Sequence, residues 1–125
     1  MAQIEAGTLY EFNKQAMSKL YPLKAGKLQL ALNSLAGWFS ANLYTKYYML
    51  LCKEKSDYTV FHLNNLNYDK AISEIQEVLD SRGDIVSIDY CHGESAYECW
   101  VKERDSEEAF MYMLFPYDWG VVEVE

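Results

Sequence analysis

No stretch of the chain is apolar for the roughly 18–20 residues that a bilayer crossing demands. The start, Met1-Ala2-Gln3-Ile4-Glu5, has neither the basic nor the apolar region of a secretory signal. With 2 prolines and 6 glycines the composition excludes collagen-like and low-complexity chains. Three cysteines, Cys52, Cys91 and Cys99, form an odd set without an export signal and read as reduced thiols rather than a disulfide framework. Histidine is scarcer still: His62 and His92 are the only imidazoles. The nucleophile elbow G-x-S-x-G and the glycine-rich phosphate loop are both missing. These absences lead us to expect a soluble cytoplasmic protein that is not an enzyme and needs no cofactor.

What is present is enough for a core. The 125 residues are 50% hydrophobic and 15% aromatic, a length and composition that fit a single domain spanning 1–125. Charge is unevenly spread. The net is −8, but residues 1–56 carry seven lysines against three glutamates, whereas residues 57–125 carry four bases against sixteen acids. A local balance of −12 repels a polyanion, so direct nucleic-acid binding is not expected there; a basic protein surface is attracted instead.

The periodicity predicts three helices. Thr8-Leu9-Tyr10-Glu11 reads as a capping box, and Leu9, Phe12, Ala16 and Leu20 form an apolar stripe ending before Pro22. A second helix is expected from about Lys24 to Asn42, packing through Leu28, Leu32, Leu35 and Phe39. The third, capped by Asn67, buries Ala71, Ile72, Ile75, Val78 and Leu79 and stops at Arg82-Gly83. Tyr47–Cys52 and Tyr58–Leu63 read as a hairpin, as do Ile85–Cys91 and Ala96–Lys102 around His92-Gly93-Glu94-Ser95, where Gly93 suits a type II′ turn. That register pairs Tyr90 with Tyr97, Ile88 with Cys99 and Val86 with Val101. Ala109–Phe115 reads as a strand, with a short helix as the alternative, and Val121–Val124 as a short last one. The expected class is α+β: two N-terminal helices packed on a mainly antiparallel sheet of five to six strands, with one further helix inserted.

The register separates an apolar face (Val86, Ile88, Tyr90, Tyr97, Cys99, Val101) from a polar one (Ser87, Asp89, Cys91, Ala96, Glu98, Trp100, Lys102). Cys91 and Cys99 then point to opposite faces and cannot share a metal ion, so no metal site is expected. The carboxylates Asp84, Asp89 and Glu98 lie on adjacent strands, as a Mg²⁺ nuclease site requires, yet Trp100 stands where such a site wants a lysine. A solvated face of mixed charge accounts for them better. Trp100 on that face is either covered by a helix or offered to a partner.

The stretches Lys46–Glu54, Tyr58–Phe61, Gly83–Asp89 and Leu114–Asp118 resemble small uncharacterised proteins of phages and mobile elements of Gram-positive bacteria, over about half the chain. The resemblance implies a bacterial host cytoplasm and carries no assigned reaction. In size and charge the chain is similar to inhibitors of host defence nucleases, anti-CRISPR proteins among them. The expectation is therefore a binding protein that engages a basic surface of a host protein through Asp89, Glu98, Trp100, Glu103, Asp105, Glu107 and Glu108. Self-association as a homodimer, through edge strands or exposed aromatics, is the alternative.

Overall fold

The computed structural model describes residues 6–42, 45–63 and 68–117, with side chains from residue 9 onward. In chain order the elements are α1 (Ala6–Met17), α2 (Ala25–Ala41), β1 (Tyr47–Cys52), β2 (Asp57–His62), α3 (Tyr68–Arg82), β3 (Asp84–Cys91), β4 (Ala96–Lys102) and β5 (Ala109–Pro116). The five strands form one sheet in the order β2-β1-β5-β4-β3, antiparallel throughout. The protein is α+β, and Ala109–Phe115 is strand. β5 enters between the two hairpins, pairing Leu114 with Leu50 on one side and with Tyr97 on the other. The expected helix cap at Asn67 and the last strand at Val121–Val124 lie outside the described residues.

Side-chain alternation gives the sheet two faces. One carries Leu50, Tyr97, Cys99, Val101, Tyr112 and Leu114, all buried against Leu35 and Phe39 of α2 and Ile75 and Leu79 of α3. Each large apolar side chain sealed there contributes roughly 1.5–3 kcal/mol. A rosette of rings locks α2 down, with Trp38 edge-on to Tyr48 at 5.3 Å and to Tyr97 at 5.0 Å. The opposite face holds a smaller cluster, Val86, Trp100 and Ala109, packed under Tyr10 and Met17 of α1. The two N-terminal helices therefore lie on opposite faces.

Four local expectations need correcting. The helix α1 starts at Ala6, so Thr8 is a helical residue and not its cap. Its expected stripe faces outward: Leu9 is 47% and Phe12 68% exposed, and Tyr10 and Met17 are the residues that pack. In the β3–β4 pair a bulge between Ile85 and Ser87 places Ile85, not Val86, opposite Val101. Val86 thereby moves to the Trp100 side, where α1 covers it. Finally, no described glycine has a positive φ. The β3–β4 loop is a four-residue turn whose left-handed residue is Ser95 at φ 53°, so Gly93 does not form a type II′ turn. Gly83 likewise ends α3 without a left-handed cap. A Cβ at that position would lie 2.2 Å from the Lys102 carbonyl oxygen, so close strand approach is what demands glycine.

Candidate protein-binding surface

At one end of the sheet three connections meet: the β1–β2 turn, the α3–β3 junction and the β4–β5 loop. Most of their bases are engaged, Lys53 of the β1–β2 turn being exposed. Arg82 grips Asp57 with two bonds, Nε to Oδ2 at 2.5 Å and Nη2 to Oδ1 at 3.0 Å. Arg104 donates to Asp84 Oδ1 at 3.2 Å and to the carbonyls of Asp80 and Gly83 at 3.0 Å, closing the C-terminus of α3. Lys55 pairs with Glu103. Lys14, reaching across from α1, pairs with Glu54 at 2.8 Å, and Tyr10 donates its hydroxyl to the same carboxylate at 2.7 Å. Both lysines also sit over the Phe110 ring, at 4.5 and 4.4 Å. The Lys14 bond, then the Tyr10 bond, hold Glu54 below the usual carboxylate range. Lys55 does the same for Glu103.

The β4–β5 loop has a defined shape. Glu103 N–H donates to the Glu108 carbonyl and Glu107 N–H to the Glu103 carbonyl, each at 2.8 Å. The Ser106 hydroxyl donates to Glu103 at 3.2 Å and accepts the Glu108 amide at 3.3 Å. Glu107 sits in the left-handed region at φ 61°. This frame projects Asp105, Glu107 and Glu108 outward; all three are exposed, and none forms an ion pair among the described residues.

The seven expected contact residues thus separate. Asp105, Glu107 and Glu108 stand together, with Glu103 at their base and already neutralised by Lys55. Asp89 and Glu98 oppose each other on β3 and β4, and Asp89 accepts the Ser87 hydroxyl at 2.8 Å. They lie about 17 Å from the loop, five strand residues away at about 3.4 Å each. Trp100, between the two groups, is 3% exposed and stacked under Tyr10 at 5.7 Å, so it is not offered to a partner. Asp84 is held by Arg104 at the opposite end of β3 from the Asp89–Glu98 pair. Among the described residues no three His, Cys, Asp or Glu side chains gather as a metal-binding group.

One feature of this surface had no sequence signal. Beside α1 runs an open groove of about 460 Å³, bordered by Tyr10, Glu11, Lys53 and Glu54 and lined by Leu51, Met111 and Met113. It exists because α1 covers only part of its face of the sheet, and no local pattern encodes that. The cysteines are chemically quiet: burial pushes the Cys99 thiol up to about 12 and raises Cys52 as well, so both stay protonated at neutral pH. His62 stacks on Tyr47 at 4.5 Å, and His92 meets the edge of Tyr90 at 4.8 Å. No helix among the described residues is long and apolar enough to cross a membrane. No family model matches the chain, and neither does a curated protein or a solved structure.

Proposed function

We propose that this is a non-enzymatic acidic binding protein of a phage or mobile element, and that it engages a basic surface of a host protein. The nucleic-acid channel of a defence nuclease is the partner class whose charge suits it. The observation that carries this reading is the braced β4–β5 loop, whose Asp105, Glu107 and Glu108 are exposed and unpaired while Lys55 and Arg104 beside it are held by Glu103 and Asp84. A loop already held by its own hydrogen bonds loses little entropy on docking, and unbalanced charge accelerates encounter with a basic partner. The groove floored by Leu51, Met111 and Met113 adds an apolar seat for an anchoring side chain.

A tagged pull-down from bacterial lysate at two salt concentrations, with mass spectrometry, tests the proposal. The expected catch is a nucleic-acid-binding protein released at higher salt. Its affinity should fall at least about tenfold for the triple variant Asp105→Lys, Glu107→Lys, Glu108→Lys. Unchanged affinity in that variant overturns the reading.

A further inference from the structure

Helix α1 has more apolar surface than the sheet uses. Tyr10, Lys14 and Met17 form the arc directed at the sheet and its neighbouring turn. Leu9 and Phe12, at 47% and 68% exposure, and Ala16, also exposed, lie on the adjoining arc about a third of a turn away. The chain keeps winding past Met17, with Lys19 N–H bonded to the Ala16 carbonyl and Leu20 N–H to that of Met17. Leu20, 42% exposed, extends the stripe, and Tyr21, next in sequence, is 88% exposed. Four large apolar side chains in one short stretch are unusual for a solvent face, since single exposed hydrophobics are ordinary and contiguous ones mark contacts.

We propose that this stripe is the contact between two copies of the chain, with the two α1 helices packed antiparallel about a two-fold axis. The order large, large, small, large (Leu9, Phe12, Ala16, Leu20) is self-complementary in that direction. Each Phe12 ring sits against Ala16 of the partner subunit, and each Leu9 beside Leu20 of the partner subunit. Charge selects the same direction. An antiparallel pair opposes the two helix dipoles, whereas a parallel pair aligns them.

The stripe with Tyr21 offers on the order of 500 Å² per protomer, at roughly 150–250 Å² for a large side chain. Two such surfaces reach the lower end of specific interfaces, about 1,000 Å² in total. The dimer is therefore concentration-dependent. It uses no residue of the acidic loop and stands whether or not that loop binds a partner.

Sedimentation velocity of the full chain from about 1 to 200 µM tests it. The expected result is a mass rising from 14.5 kDa toward twice that value. Phe12→Glu should keep the monomer mass throughout, with an unchanged circular dichroism spectrum because Phe12 is exposed. Tyr58→Glu, which alters another exposed aromatic on β2, should leave the dimer intact. Leu9→Cys combined with Leu20→Cys should oxidise to a covalent dimer, and Leu9→Cys alone should not, because only the antiparallel pair sets position 9 beside position 20 of the other copy. A monomer at every concentration overturns the proposal, as does a dimer indifferent to Phe12→Glu or one dissociated by Tyr58→Glu. A covalent dimer from Leu9→Cys alone overturns the antiparallel arrangement.

Discussion

Two glycines show how the same substitution acquires opposite signs. Gly37 lies on the solvent side of α2, and a Cβ there would meet nothing within 4 Å. Gly37→Ala should raise stability by about 1 kcal/mol, the helix-propensity difference, read as a shift in denaturant midpoint at constant slope. At Gly83 the same methyl would lie 2.2 Å from the Lys102 carbonyl oxygen. Gly83→Ala must push β4 away from the end of α3 and should cost about 2–4 kcal/mol in the same assay. Cys99 supplies a pH signature. Its thiol has an ordinary value of 9.0 and is pushed up to about 12 by burial, with Asp89 and Glu98 adding to the shift. The unfolded chain loses that proton first. The contribution to stability is therefore complete below about pH 9 and is lost as pH rises from there toward 12. Chemical-denaturation series across that range should show the decline, and Cys99→Ala should flatten its onset.

α1 is tied to the rest of the protein by few side chains, and Tyr10 is in both main ties: the Trp100 stack and the Glu54 hydrogen bond. Tyr10→Ala should cost about 3 kcal/mol, by analogy with other large-to-small core changes, and uncover Trp100, which a red shift in tryptophan emission would report. Acid should act on the same tie. The folded-state value of Glu54 is depressed, so its contribution is present above its ordinary value of 4.5 and is lost as pH falls through the depressed one. The emission shift should therefore appear at acidic pH, and Glu54→Gln should produce part of it at neutral pH. The helix also marks the limit of periodicity as a guide. Leu9, Phe12, Ala16 and Leu20 are a genuine apolar stripe, legible in the sequence, but the stripe turns outward because Tyr10 and Met17 on the adjoining arc fit Trp100 and Val86. An amphipathic pattern says which residues share a side, not which side finds the core.

Across the molecule, stability concentrates where β5 joins the two hairpins. Leu114 is fully buried and faces Leu50 on one neighbour and Tyr97 on the other, so Leu114→Ala should cost about 3–4 kcal/mol in equilibrium unfolding. Tyr58, 63% exposed on the edge strand β2, should change stability by less than about 0.5 kcal/mol when replaced by Ala. The charge imbalance of the whole chain likewise resolves only in three dimensions. Bases of the N-terminal half, Lys14 and Lys55, cancel Glu54 and Glu103, while Asp105, Glu107 and Glu108 at the tip of the β4–β5 loop keep their charge, as do Glu74 and Glu77 on the exposed side of α3.

Local order along the chain determined the helices, the strands, both hairpins, the β3–β4 register apart from the Val86 bulge, and the acidic bias of residues 57–125. Those depend on propensity, alternation and short-range turn chemistry, which act between residues a few positions apart. Tertiary structure alone decided that β5 enters between β1 and β4, that Trp100 is sealed beneath Tyr10, and that Asp89 and Glu98 stand apart from Asp105, Glu107 and Glu108. Burial and spatial grouping are properties of contacts between elements remote in sequence, and neither partner in such a contact carries a local mark of the other.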